Sequence, residues 1–150
     1  MAVATFSIGH LSRETGTKVE TIRYYEKIGL MPEPFRSAGN QRLYGPEHID
    51  RLAFIRHGRD LGFGLAAIRE LLSLTDSPDA TCERADAIAS QHLREVETRI
   101  ARLQALKREL TRMLDCQHTG QVADCRVIEV LADHRHCLSD DHQHVDEPSA

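Results

Sequence analysis

The first 75 residues alternate short stretches of helical periodicity with glycine and proline stops. Ser7 precedes Ile8 and Leu11, and Gly16 follows them, so the spacing predicts a short helix capped by Ser7 and ended by Gly16. Residues 17–28 place Val19, Ile22, Tyr25 or Glu26, and Ile28 at helical intervals, and Gly29 ends that run. Two short helices joined by a Gly-containing turn form a helix-turn-helix. Residues 30–44 hold Pro32, Pro34 and a Gly39-Asn40 pair, which exclude a helix and predict two extended segments around a turn, a candidate wing. Pro46 then opens a helix with Ile49, Leu52, Ala53 and Ile55 or Arg56 on one face. Residues 62–64 interrupt it, and Leu65, Ile68, Leu71 and Leu72 continue as another helix. Residues 75–81 read as a linker.

Residues 85–114 contain neither Gly nor Pro. Leu93, Val96, Ile100, Leu103, Leu106, Leu110 and Met113 recur there in steps of three and four, the pattern of a coiled-coil seam. About 30 residues rising 1.5 Å each make a helix of about 45 Å, too long to bury its stripe against a small globular unit. Dimerisation is the expected answer. Val127, Ile128, Val130 and Leu131 then mark a short apolar turn of helix over 126–132, and a tail rich in His and Asp follows.

Composition narrows the picture. A chain of 150 residues with 41% hydrophobic and 28% charged residues fits one soluble domain with an extension, not a barrel or a two-domain enzyme. Seven aromatics and no Trp supply few large core anchors, so a partner subunit is expected to share the core. No signal peptide and no apolar run of membrane length is read in the sequence, which predicts a cytoplasmic protein without a membrane partner. In that compartment four cysteines point to metal ligands or redox thiols before disulfides. The net charge of −4 conceals a split: residues 1–72 carry ten Lys/Arg against eight Asp/Glu, and residues 73–150 nine against fifteen. Any cationic surface belongs to the first half.

A recognition helix presents cations and hydrogen-bonding groups to the groove, and Lys18, Thr21, Arg23, Tyr24 and Tyr25 provide them. Arg36, Arg42 and Tyr44 add a basic stripe on the wing. Of two adjacent tyrosines on a helix, one ordinarily turns inward. The segments Phe6-Ser-Ile-Gly-His-Leu-Ser12, Thr21-Ile-Arg-Tyr-Tyr-Glu-Lys-Ile-Gly-Leu30, Arg36 with Gln41-Arg-Leu-Tyr44, and Leu61-Gly-Phe63 closely resemble the MerR family of bacterial transcription regulators. The resemblance spans residues 5–130. It implies a mainly α fold: a winged helix-turn-helix DNA-binding domain with a second helix pair (1–74), a linker (75–82), a long dimerisation helix in an antiparallel coiled coil (83–115), and a metal-binding loop with a short helix (116–132); the sequence itself adds a His-rich tail (133–150). It further implies a homodimer on a palindromic promoter operator. There the effector-bound protein distorts double-stranded DNA so that RNA polymerase can use it, a case of indirect readout.

Cys82 precedes the long helix, Cys116 ends it, and Cys125 closes the loop after it. Thirty-four residues of helix separate Cys82 from Cys116 by about 50 Å within one chain, so a shared ion requires an antiparallel partner. Three thiolates suit soft or borderline ions. Zn(II) asks for a fourth ligand, for which His118 is nearest; Pb(II) or Hg(II) does not. The family resemblance implies a divalent sensor of Zn(II), Cd(II) or Pb(II), because the copper(I) branch carries Ser at the position of Cys82. His134, His136, Cys137, His142 and His144 form either a second, looser metal site or a polar tail with incidental affinity. A copper(I) sensor and a metal buffer are the alternative functions. A zinc hydrolase is disfavoured, since no His-Glu-x-x-His pair occurs. Metal-driven docking of Val127 and Leu131 on the partner's Ile68, Leu71 and Leu72 is the expected route to DNA.

Overall fold

The computed structural model describes residues 4–77, 79–115, 120, 122 and 125–137. They form two compact units, Met1–Ile88 and Ala89–Ala150, with the boundary inside the long helix.

In the first unit, α1 (Ile8–Thr15) begins where the Ser7 hydroxyl accepts the His10 amide at 3.2 Å. It ends at Gly16, whose φ of 62° is the left-handed conformation that glycine adopts without a Cβ penalty. Helix α2 (Val19–Lys27) follows with Lys18 as its N-cap. The hairpin pairs β1 (Phe35–Arg36) with β2 (Arg42–Leu43) antiparallel, in the register Phe35 to Leu43 and Arg36 to Arg42. Asn40, at φ 61°, turns its corner. Phe6 joins as a one-residue bridge, exchanging backbone hydrogen bonds with Tyr44 at 2.8 and 2.9 Å. Helices α3 (Pro46–Asp60) and α4 (Leu65–Thr75) complete the unit and pack closely at Gly58, where an added Cβ would lie 3.0 Å from Ile68 Cγ1.

The core of this unit gathers Leu11, Ile22, Tyr25, Leu30, Met31, Tyr44, Leu52, Ile55, Ile68 and Leu72. Burial on this scale is the main favourable term holding a small domain together. Arginines close the helix ends. Arg69 donates to the Ile28 and Gly29 carbonyls at 2.6 and 3.2 Å, Arg51 to the Leu30 carbonyl at 2.9 Å, and Arg56 to the Thr15 carbonyl. These carbonyls at the ends of α1 and α2 have no partner within their helices, and each guanidinium also meets the negative end of a helix dipole.

Helix α5 (Glu83–Leu114) begins in the first unit, where Arg84 pairs with Glu70 of α4. In the second unit its burial departs from the expected seam. Ala105, Glu109 and Met113 are buried and Leu106 is half-buried, whereas Leu93, Ile100, Leu103, Leu110 and Leu114 are exposed. The chain after α5 supplies cover: Val130 of α6 (Arg126–Ala132) is buried, and Arg112 bonds both Glu109, at 2.5 Å, and the His136 carbonyl. Among the described residues no helix is long and apolar enough to cross a membrane.

Candidate nucleic-acid interface and metal-binding residues

Ten Lys and Arg residues occur in the first 72 positions, and packing sorts them. Arg51, Arg56, Arg59 and Arg69 are engaged with backbone carbonyls of their own unit. The other six, Arg13, Lys18, Arg23, Lys27, Arg36 and Arg42, lie on α1, α2 and the hairpin, where Arg36 bonds only within its own turn, to Asn40. Arg23, Lys27, Arg36 and Arg42 line one groove of about 320 Å³ together with Glu26, Glu33 and Pro34. Four cations against two carboxylates give that groove a positive field, the property that phosphate contact needs.

Six of the eight residues expected at DNA stand where a duplex could reach them. Lys18, Arg23, Arg36 and Arg42 are exposed, Tyr24 is 50% exposed, and Thr21 is half-buried. The remaining two, Tyr25 and Tyr44, have their rings in the core. Tyr25 is the inward member of the adjacent pair, one helical step from its exposed neighbour. The Tyr44 hydroxyl donates to Glu26 Oε1 at 2.5 Å and has no surface to offer a phosphate. Burial, followed by that hydrogen bond, holds its phenol well above the ordinary value of 10.0, and burial raises Tyr25 likewise.

Cys82, Cys125 and Cys137 are free thiols. Cys82 is exposed just before α5, and its carbonyl accepts the Asp86 amide at 2.9 Å. Cys125 is the N-cap of α6, and its carbonyl accepts the Glu129 amide at 3.1 Å. Thiols at these places match the donor type expected for a soft divalent ion. Cys116 and His118 lie outside the described residues, as do His142, His144 and the side chain of His134. Among the described residues no three His, Cys, Asp or Glu side chains converge as a metal site. His136 lies on a 3-10 turn, with its Nδ1 3.9 Å from Glu129 Oε1. Of the residues expected to receive Val127 and Leu131, Ile68 and Leu72 are core residues and Leu71 is half-buried.

Residues 6–75 match the family described as MerR HTH family regulatory protein, and residues 49–113 match MerR, DNA binding. The HTH-type transcriptional regulator ZntR of Escherichia coli (strain K12) is 42% identical over 129 residues, covering 84% of this chain and 92% of that protein. The chain belongs to the MerR family. It is a DNA-binding transcription regulator and not an enzyme. Another similar member is heavy metal-dependent transcription regulator 2 of Rhizobium meliloti (strain 1021), 36% identical over 126 residues, which cover 84% of this chain and 86% of that one. Among solved structures, the transcription regulator PbrR691 from Ralstonia metallidurans CH34 in complex with lead(II) superposes with a TM-score of 0.74 at 38% identity. That match covers 84% of this chain and 98% of PbrR691.

Two residues that shape the MerR-type wing were missed as such in the sequence. Periodicity leaves one core position open between Tyr25 and Glu26; Tyr25 takes it, and the Glu26 carboxylate is the partner of Tyr44 and Arg42. His48 is buried at the start of α3, where its Nδ1 accepts the Gly45 amide at 3.0 Å and its Nε2 faces the Glu33 carbonyl at 3.3 Å. Through these two contacts His48 bridges the two ends of the wing segment. A signal was present for Glu26: an acid directly after an adjacent tyrosine pair, in a half rich in arginine, needs a cation. Nothing in the periodicity marks His48.

Proposed function

We propose that this regulator works as a homodimer that activates a promoter when Zn(II), Cd(II) or Pb(II) binds cysteine thiolates. Cys82 of one protomer would join the partner's Cys116 and the partner's Cys125, giving two equivalent sites. The observation that carries the metal reading is the placement of free thiols at the start of α5 and at the N-cap of α6, on a chain 38% identical to a lead(II)-bound regulator. His118 is the proposed fourth ligand for Zn(II). His134, His136, Cys137, His142 and His144 are a candidate second, weaker site. The exposed leucines of α5 support dimerisation, because a contiguous apolar stripe on an isolated helix calls for a partner.

On DNA, Lys18, Thr21, Arg23 and Tyr24 would contact the major groove and its phosphates, with Arg36 and Arg42 beside them on the wing. Metal binding would change how the dimer bends and untwists the operator, so that RNA polymerase engages a promoter it otherwise uses poorly. The test is transcription in vitro from the regulated promoter, titrating buffered Zn(II), Cd(II), Pb(II), Hg(II) and Cu(I) against wild type and Cys82→Ser. A divalent ion is expected to activate wild type, and Cys82→Ser should lose that response while still binding DNA. Activation by Cu(I) alone, or a normal response from Cys82→Ser, would show that the two loop cysteines suffice. Metal binding without any effect on transcription would favour a buffer.

A further inference from the structure

We propose that Glu26 is a positioning residue for DNA recognition, a buried carboxylate that locks the wing arginine Arg42 onto the recognition helix. The proposal rests on the DNA reading above.

Arg36 and Arg42 stand directly opposite each other in a two-residue ladder, an arrangement in which like charges repel. Each is held by a different anchor. Arg36 Nη1 donates to the carbonyl and Oδ1 of Asn40 at 3.2 and 3.4 Å, within the hairpin. Arg42 reaches across to α2, where its Nε lies 3.6 Å from Glu26 Oε2. The other carboxylate oxygen accepts the Tyr44 hydroxyl at 2.5 Å. One acid therefore binds both residues that lead the chain out of the hairpin, and its side chain is only 11% exposed. The contact to Arg42 is through Nε and its side chain is 43% exposed, which leaves the guanidinium accessible to a phosphate or base edge.

A carboxylate inside a cationic groove repels the DNA backbone, so on charge alone Glu26 weakens binding. Its use lies in geometry. A long arginine side chain loses rotamer freedom when it docks, and one already fixed by an ion pair loses less. Fixing Arg42 relative to α2 also sets the spacing between the two elements that touch DNA. The field effect acts on any duplex, while the spacing effect favours the duplex whose phosphates match it.

These two effects separate in one experiment. Full-length wild type selects its preferred duplex from a random pool, and its affinity for that duplex and for a shuffled one of equal length is measured across salt concentration. Glu26→Gln keeps an oxygen to accept the Tyr44 hydroxyl but removes the charge that holds Arg42. It is expected to bind shuffled DNA as tightly as wild type or more so, and to lose about fivefold of its preference for the selected duplex, equivalent to about 1 kcal/mol. In an Arg42→Gln background, Glu26→Gln should change the preference no further, since the pair acts as a unit. Equal tightening on both duplexes with an unchanged preference, or a further loss in the Arg42→Gln background, overturns the proposal. If Glu26→Gln melts at assay temperature, Glu26→Asp, which withdraws the carboxylate by one methylene, must lower the preference in the same direction; an unchanged preference overturns it. A wild type that selects no duplex at all overturns the DNA reading together with this one.

Discussion

Tyr44 and Gly16 decide much of the local geometry, and each makes a measurable claim. The Tyr44 phenol is held protonated by burial and by its bond to Glu26, so its folded-state pKa lies above the unfolded value of 10.0. Below that value both states keep the proton and the full stabilisation is present. As pH climbs past it, the unfolded chain ionises first and stability falls. The thermal midpoint of wild type should therefore drop more steeply above about pH 10 than that of Tyr44→Phe, which has no proton to lose. Equal slopes in the two proteins would contradict the buried hydrogen bond. At Gly16, an alanine would have to adopt a φ of 62° and would drive its Cβ into Arg56 Nη1, displacing the guanidinium that caps Thr15. Gly16→Ala is expected to cost about 1–2 kcal/mol, read as a lower denaturation midpoint without a change in slope.

At the scale of elements, the exposed face of α5 redraws the seam. Leu93, Ile100, Leu103, Leu110 and Leu114, with half-buried Val96 and with Lys107 at one step, follow strict alternation of threes and fours. Leu106 and Met113 fall off that line, toward the chain that folds back over α5. Leu103→Asp should accordingly dissociate the proposed dimer, since it replaces about 2–3 kcal/mol of leucine burial per copy with a buried charge. Sedimentation would read the monomer, and circular dichroism should still report the helices of the first unit; a persisting dimer would place the interface elsewhere. The sequence periodicity alone includes Leu106 and Met113, because steps of three and four do not say which of two adjacent stripes meets a partner and which meets the same chain. Helix ends were more legible. Ser7, Gly16, Gly29, Pro46 and Gly62 act through capping and backbone conformation, which are local, and the helices begin or end beside them. The candidate DNA site was legible in its cations but not in its buried members. Which tyrosine turns inward, and which arginine serves a carbonyl such as that of Thr15, depend on contacts between residues up to 41 positions apart.

For the whole molecule, the sharpest claim concerns which chains build the metal site. Cys82 lies in one compact unit and Cys125 in the other, with α5 between them. A site built within one chain requires every thiol on that chain, so Cys82→Ser and Cys125→Ser would each destroy it, and so would any mixture of them. A cross-subunit site behaves differently. In a mixed dimer of the two variants, one site receives both serines and is lost, while the other receives the intact Cys82 of one chain and the partner's intact Cys116 and Cys125. With random pairing under two-fold symmetry, half the dimers are mixed and each keeps one of two sites, so capacity returns to about a quarter of wild type. Refolding the two inactive variants together and titrating Cd(II) by its thiolate charge-transfer absorbance would read that fraction directly. Each variant refolded alone should show none of the high-affinity absorbance. A mixture as silent as its components would overturn the shared site, while recovery of about a quarter would establish that the ion is held between chains. The same ion would then stabilise the dimer and report metal to the promoter, because binding energy spent at a shared site is available only to the assembled state.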